Sequence, residues 1–180
     1  MSGRLIAVVG PSGVGKDTVM AAMAARRPDL HIVRRAVTRP ASGTEPFAPV
    51  TEAEFARRDA AGEFALAWRA HGLAYGLPRA ELAGLAEGRD ALANLSRRVL
   101  AEARARFPRL VVLALHAPAD VLAQRLSGRG RETAEEIAER LAREAPLPAG
   151  LDVVRIENAG TVDAAAEAAL AALYPERAAS

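Results

Sequence analysis

The sequence predicts an α/β fold in which one parallel sheet is covered by helices on both faces. Short apolar runs that suit buried parallel strands recur along the chain. Segments of helical composition, marked by capping residues, separate these runs. The 180 residues are enough for a single domain with its own core, spanning 1–180. In such a fold, ligands are expected beyond the carboxyl ends of the strands.

The first strand is the apolar run at 5–9, and a glycine-rich loop and a helix at about 16–27 follow it. Strand, glycine-rich loop and helix form the context of a phosphate-binding P-loop. The glycines let successive backbone N–H groups point at phosphate oxygens, and the helix N-terminus adds its positive end. We predict that the nucleotide phosphates contact Gly10, Pro11, Ser12, Gly13, Val14, Gly15, Lys16, Asp17 and Thr18.

Two side chains of this loop stand out. Lys16 is the only lysine among 24 basic residues, and it occupies the position where a P-loop needs a slim point charge. Asp17 stands where the pattern has Ser or Thr to bind magnesium. A carboxylate beside a triphosphate is repelled unless a cation lies between them, so we interpret Asp17 as a magnesium ligand, direct or through water. The alternative is an acid that stabilises the first turn of a helix.

The first half of the chain continues with less regular signals. In order, we predict a strand at 31–37, a loop at 40–50, a helix at 51–61, a strand at 64–69, a turn-rich segment at 71–76 and a helix at 79–87. Thr51 and Glu54 form a capping box, and Pro78 suits the start of a helix. The strand at 31–37 should deliver Thr38 and Arg39 to its far end.

The second half alternates clearly between helix and strand. We predict a strand at 90–95, a helix at 96–107, a strand at 110–115, helices at 118–126 and 133–145, a strand at 152–156 and a terminal helix. Ser96 and the Thr133–Glu136 pair supply caps, and the wholly apolar run at 110–115 suits a central strand. Four polar side chains fall at the carboxyl ends of predicted strands: Lys16, Thr38, Asn94 and Asn158.

Arginines cluster around a glycine-broken turn late in the chain. Phosphoryl transfer requires alignment of the reactants and neutralisation of charge, so this segment is interpreted as a closing lid. Its arginines are Arg125, Arg129, Arg131, Arg140 and Arg143. The alternative is a solvated surface helix in which these arginines pair with neighbouring glutamates.

Composition limits the remaining classes of function. The chain has no cysteine, which excludes disulfides and thiolate metal sites, and no spacing of its three histidines suits a metal. The net charge of +2 and the 4% aromatic content argue against a nucleic-acid partner. No apolar run or leader pattern points to a membrane, so a cytoplasmic protein is expected. The assembly stays open, with a homodimer as one option.

Several motifs together resemble the guanylate kinase family in residue type and in spacing. They are the P-loop at 10–16, Thr38-Arg39, the segment 62–64, Tyr75-Gly76, the segment 129–130 and Arg140. Within that family the chain is most similar to the ribose 1,5-bisphosphate phosphokinases, whose P-loop also ends in Gly-Lys-Asp. The resemblance implies a three-layer P-loop NTPase fold. Its expected parts are a core at 1–37, 88–127 and 146–180, an acceptor-binding region at 38–87 and an arginine-rich lid at 128–145.

The resemblance also implies an activity, in which ATP and Mg²⁺ convert ribose 1,5-bisphosphate into 5-phospho-α-D-ribose 1-diphosphate (PRPP) and ADP. Leu66 stands where guanylate kinases grip guanine with a glutamate, and it cannot accept a hydrogen bond from a base. Asn94 and Ser96 likewise replace acids. The implied catalytic residues are Lys16, Asp17, Arg129, Arg131 and Arg140, with Asp17 on the metal. The implied acceptor contacts are Thr38, Arg39, Tyr75, Asn94, Ser96 and Arg97. The alternatives are a true guanylate kinase and a non-catalytic binding module of the same fold.

Overall fold

The structure is a computed structural model that describes residues 2–40, 46–127 and 146–175. The predicted lid at 128–145 lies outside the described residues. Its side chains therefore stay as predictions: Arg129, Arg131, Thr133, Glu136, Arg140 and Arg143.

Strands and helices alternate along most of the described chain. Their order is β1 (Leu5–Val9), α1 (Lys16–Arg26), β2 (His31–Ile32), β3 (Arg35–Val37), β4 (Phe47–Pro49), α2 (Glu52–Ala60), β5 (Phe64–Ala70), β6 (Leu73–Pro78), a 3₁₀ helix (Arg79–Leu85), β7 (Ala91–Asn94), a 3₁₀ turn (Arg97–Val99), α3 (Leu100–Arg106), β8 (Leu110–His116), α4 (Ala119–Ser127), β9 (Val153–Glu157) and α5 (Val162–Leu173). None of the described helices is both long and apolar enough to cross a membrane.

A five-stranded sheet in the order β2-β7-β1-β8-β9 forms the centre, and all of its pairings are parallel. Side chains alternate between its faces. Leu5 and Ala7 pack with α3, the 3₁₀ helix, β5 and β6 on one face, whereas Ile6 and Val8 pack with α1, α4 and α5 on the other. Burial on both faces explains why the strand reads as one apolar run. The predicted α/β class with a parallel central sheet is confirmed.

A second sheet of four strands, in the order β4-β3-β6-β5, was not predicted. The predicted single strand at 31–37 is wrong, because it divides between the two sheets. His31 and Ile32 pair with β7, whereas β3 pairs with β4 and β6. At the break, the backbone N–H of Arg34 donates to the carboxylate of Glu81 at 3.1 Å, outside any strand ladder. The predicted loop at 40–50 is also wrong in part, since β4 lies within it.

The segment at 71–76, predicted as turn-rich, is mostly strand β6. The turn itself is confined to His71 and Gly72, whose φ angles of 52° and 72° are both left-handed. Two such residues between antiparallel strands make a tight hairpin whose twist matches the sheet. Gly76 lies inside β6. This position requires glycine because an added Cβ would lie 2.6 Å from the ring of Phe64.

Two of the predicted helices, at 79–87 and at 96–107, differ from the structure, the second because its first turn is the 3₁₀ turn Arg97–Val99. The helix predicted at 79–87 is a shorter 3₁₀ helix, whose three residues per turn let Leu82 and Leu85 face the core together. At α2 the Thr51 half of the predicted capping box is confirmed, since the Thr51 hydroxyl accepts from the N–H of Glu54 at 3.1 Å. The carboxylate of Glu54 pairs with Arg57 at 2.9 Å.

Candidate phosphate-binding site and acceptor sheet

The glycine-rich loop crosses from β1 to α1 in a conformation that requires glycine. Gly13 and Gly15 have φ angles of 83° and 89°. An added Cβ would lie 2.9 Å from the side chain of Leu126 at Gly13, and 2.9 Å from Asn158 Nδ2 at Gly15. Gly15 is also the N-cap of α1, so the first N–H groups of the helix lack intrahelical acceptors. The loop therefore presents backbone donors and a helix N-terminus to an anion.

The only lysine of the chain lies at this loop. Lys16 Nζ donates to the carbonyl of Gly10 at 2.8 Å and to that of Pro11 at 3.2 Å. These two carbonyls hold the cation against the loop that the sequence predicts to bind phosphate. The arrangement adds a point charge to the backbone donors of the loop.

Asn158 fixes the loop from the far edge of the sheet, a role that sequence reasoning did not assign. Its side chain is only 2% exposed, and Nδ2 donates to the carbonyl of Val14 at 2.8 Å. Its backbone N–H donates to His116 at 2.8 Å, which joins the ends of β8 and β9. Oδ1 has no hydrogen-bond partner among the described residues. Its position just beyond a strand end was the available signal. Arg125, from the predicted arginine cluster, also approaches the Val14 carbonyl, at 3.5 Å.

Two residues with separate predicted roles are in direct contact. Asn94 ends β7 and is in register with Val8 of β1. Its Nδ2 donates to Asp17 Oδ1 at 3.2 Å, which joins the predicted metal ligand to a predicted acceptor contact. Beyond β7, Ser96 caps the following 3₁₀ turn by accepting from the N–H of Arg98 at 3.3 Å. Its neighbour Arg97 begins that turn.

The donor set fits a nucleotide and magnesium. Mg²⁺ usually takes one or two carboxylates and completes its shell with water and substrate phosphates. Asp17 supplies one carboxylate beside the loop. Within the described ranges, no group of three or more acidic or histidine side chains could hold a metal by itself. The residues present therefore suit a phosphate-bound magnesium ion better than a dedicated metal cage.

The second sheet brings together the residues predicted to hold an acceptor phosphate, and we call it the acceptor sheet. Thr38 and Ala74 are bonded twice: the Thr38 N–H donates to the Ala74 carbonyl at 3.1 Å, and the Thr38 hydroxyl accepts from the Ala74 N–H at 2.8 Å. Tyr75 is in register with Val37 and stacks on Trp68, with ring centroids 5.4 Å apart. The expectation that Thr38 follows a strand of the central sheet is wrong, since β3 belongs to the acceptor sheet.

Guanidinium groups lie on the aromatic rings of the acceptor sheet. Arg39 sits 4.6 Å from the centroid of Phe47, and Arg35 sits 5.5 Å from that of Tyr75. Leu66, by contrast, is 1% exposed and belongs to the core beneath the sheet. The position at which the resemblance places a guanine-binding glutamate is thus occupied by a buried hydrocarbon side chain. The acceptor sheet is equipped with positive charge and lacks a base-reading acid at that position.

Comparison with known proteins gives close relatives along nearly the whole chain. No model of a described protein family matches it. Ribose 1,5-bisphosphate phosphokinase PhnN of Brucella melitensis is 49% identical over 177 residues, covering 96% of this chain and 92% of that protein. The protein of the same name from Ruegeria is 48% identical over 180 residues, covering 98% and 94%.

A longer relative contains the same region as one part. The bifunctional ribose 1,5-bisphosphokinase-thymidine phosphorylase of Cupriavidus necator is 47% identical over 166 residues, which cover 91% of this chain and 28% of that protein. The chain therefore spans little more than a quarter of this relative.

Solved structures show the fold. The guanylate kinase from Anaplasma phagocytophilum aligns with a TM-score of 0.71 at 18% identity, covering 99% of this chain and 88% of that one. A gluconokinase from Sinorhizobium meliloti aligns at 0.57 and 20% identity, covering 96% and 91%. The chain thus has a guanylate kinase-like P-loop fold.

Proposed function

Because the chain belongs to the ribose 1,5-bisphosphate phosphokinase family, we propose that it transfers the terminal phosphoryl group of ATP to ribose 1,5-bisphosphate. The products are ADP and 5-phospho-α-D-ribose 1-diphosphate. One observation carries the proposal: relatives of that name align over 96% and 98% of the chain. The alignment therefore includes both the phosphate-binding loop and the acceptor sheet.

The reaction is a phosphoryl transfer between phosphate oxygens. An oxygen of the acceptor's 1-phosphate attacks the γ-phosphorus of ATP, and the bond from that phosphorus to the bridging oxygen breaks. ADP leaves with the electron pair. In such a reaction the protein mainly aligns the two substrates and neutralises charge.

On the donor side, the backbone N–H groups of residues 10–18 and the ammonium of Lys16 bind the ATP phosphates. Asp17 would hold magnesium, which, when bound, neutralises charge on those phosphates. The predicted lid arginines Arg129, Arg131 and Arg140 steady the migrating group in this proposal. The two carbonyls that hold Lys16, at 2.8 and 3.2 Å, support its placement at the loop.

On the acceptor side, Arg39 and Tyr75 bind one phosphate of the sugar. Thr38, bonded twice to Ala74, keeps their two strands together. Ser96 and Arg97 contact the sugar or its other phosphate. The burial of Leu66 supports an acceptor that has phosphates but no base.

The test is a comparison of acceptors under identical conditions. ADP release is measured with ribose 1,5-bisphosphate, GMP and ribose 5-phosphate, and ³¹P NMR identifies the diphosphate product. We expect kcat/KM for ribose 1,5-bisphosphate to exceed that for GMP by at least about 100-fold, the scale of discrimination that one well-shaped pocket achieves. Lys16→Ala, purified in parallel, measures any contaminating kinase.

Rapid turnover of GMP alone would make the protein a guanylate kinase. Absence of ATP binding in the presence of magnesium, measured by calorimetry, would instead favour a non-catalytic binding module of the same fold.

A further inference from the structure

The contact between Asn94 and Asp17 joins positions 77 residues apart in sequence, at the point where the neighbouring strands β7 and β1 both end. Its direction is fixed by chemistry. The amide nitrogen of Asn94 can only donate, and the carboxylate of Asp17, when ionised, can only accept. One carboxylate oxygen of Asp17, Oδ1, is therefore held 3.2 Å from the amide nitrogen of Asn94.

The pair differs in a specific way from the usual magnesium site of P-loop proteins. There the residue after the P-loop lysine supplies a hydroxyl, and a separate Walker-B residue supplies a carboxylate. Here the carboxylate follows Lys16, and the residue at the end of the adjacent strand is an amide. The pair still carries one negative charge, but the charge is on the helix instead of the strand.

The pairing also makes electrostatic sense. Two carboxylates this close would repel each other unless one took up a proton. A hydroxyl facing an amide would leave the site with no charge for a cation. The combination of Asp17 and Asn94 avoids both outcomes, because the amide donor stabilises the single carboxylate.

We propose that Asn94 is a positioning residue that aims the Asp17 carboxylate at magnesium, and that the two together are a transposed form of the usual hydroxyl and carboxylate pair. With Oδ1 accepting from Asn94, Oδ2 is the more open of the two carboxylate oxygens for the cation. The proposal rests on the proposed function, since it takes magnesium to be bound with the nucleotide. It gives Asn94 a role on the donor side, where the sequence suggested a contact with the acceptor.

The test measures magnesium affinity by calorimetry, in the presence of a non-hydrolysable ATP analogue and without any acceptor. Asn94→Ala should weaken magnesium binding by about 10-fold or more, the usual effect of removing a group that orients a ligating carboxylate. The affinity for the analogue without metal should stay unchanged. Asp17→Ser should weaken magnesium binding further.

The double variant Asp17→Ser with Asn94→Asp is the decisive measurement. It recreates the ordinary arrangement, with a hydroxyl on the helix and a carboxylate on the strand. Magnesium affinity should return to within about threefold of the unmodified protein, because the two changes act on one interaction and are not additive. Asp163→Ser is the matched control, since Asp163 is also an acid in a first helical turn, but is 72% exposed and pairs with Arg26 at the other end of α1.

Three results would overturn the proposal. One is a double variant that binds magnesium no better than Asp17→Ser. Another is an Asn94→Ala protein with normal magnesium affinity but a raised KM for the acceptor, which would return Asn94 to the acceptor side. A third is an unmodified protein that does not bind the nucleotide, and only this result removes the proposed function as well.

Discussion

An aspartate lies near each end of strand β7, and the two carboxylates differ in the number of hydrogen bonds that they accept. Asp90, just before the strand, accepts from the backbone N–H of Arg4 at 2.6 Å, from its guanidinium at 2.8 and 3.0 Å, and from the Tyr174 hydroxyl at 2.7 Å. Asp17, beside the other end, accepts from Asn94 at 3.2 Å. The first carboxylate is saturated by the fold, and the second keeps capacity for a ligand.

The electrostatics of Asp90 match this difference. Burial raises the pKa of Asp90, but the backbone N–H of Arg4, the hydroxyl of Tyr174 and the Arg4 guanidinium lower it, and the net pKa lies below the ordinary value of a carboxyl group. Arg27 covers the ring of Tyr174 at 3.6 Å and closes the cluster. The Asp90 cluster at the amino edge of the sheet thus contributes stability, whereas Asp17 at the carboxyl edge keeps capacity to accept from a ligand.

The largest effect should come from removing the ammonium group of Lys16 at the carboxyl edge, which tests whether this edge serves activity and not stability. Lys16→Ala should lower turnover of ribose 1,5-bisphosphate by roughly 10³-fold or more, because one charge stabiliser is lost from phosphoryl transfer. The free energy of unfolding should change little. ADP release and urea denaturation measure the two effects.

Arg26→Ala is the control for this change, since Arg26 lies in the last turn of α1 and pairs with the exposed Asp163. Its turnover should match that of the unmodified protein. Near-normal turnover of Lys16→Ala would mean that the loop does not bind ATP as proposed.

The complementary change is at the amino edge. Asp90→Ala should reduce the free energy of unfolding by about 3 kcal/mol, because it leaves the partly buried Arg4 without its carboxylate. Nucleotide affinity should stay the same. Glu102→Ala removes an exposed partner of Arg106 and should cost under about 1 kcal/mol. Equal losses in the two variants, measured by urea denaturation, would contradict the comparison.

Asn158 tests how far the carboxyl edge depends on buried support. Asn158→Ala should weaken nucleotide binding about tenfold, since the loop loses a hydrogen bond worth about 1.4 kcal/mol at the Val14 carbonyl and keeps only the longer contact from Arg125 there. Asn158→Asp should be worse, because it turns an oxygen toward that carbonyl. Calorimetry with ADP measures both variants, and unchanged affinity in both would show that the loop keeps its shape without this contact.

The smallest expected effect is a pH dependence at the amino edge. Burial and the hydrogen bond to Asp90 raise the pKa of Tyr174 to about 12. The ordinary value is about 10, so this stability is complete below pH ~10 and is lost as the pH rises toward ~12. Tyr174→Phe should lack that slope, and Tyr75→Phe should keep it. Circular dichroism during urea unfolding at several pH values would reveal parallel slopes if Tyr174 did not contribute.

The central sheet could be predicted because its strands are buried on both faces. A continuous apolar run such as 110–115 is typical of a strand at the centre of a parallel sheet, where helices cover both faces. The P-loop was equally visible, since Gly13 and Gly15 are required by backbone conformation. Both signals are local in sequence.

The acceptor sheet could not be predicted in the same way, because an apolar run reports burial and does not identify the pairing partner. Residues 31–37 look like one strand, yet their partners change where Arg34 bonds to Glu81. One signal in the sequence was overlooked. His71 and Gly72 separate two strand-like segments by only two residues, and such a spacing with a glycine indicates a hairpin. The Asn94 contact to Asp17 depends on strand order and lay beyond sequence reasoning.

The placement of Lys16 makes it possible to measure ligand binding at the loop by chemical modification. Apart from the terminal amine, the chain offers a single primary amine to acylating reagents, and the Gly10 and Pro11 carbonyls hold it within the loop. Its rate of acylation, followed by intact-mass spectrometry, therefore reports whether the loop is filled, with no introduced label and no substrate turnover.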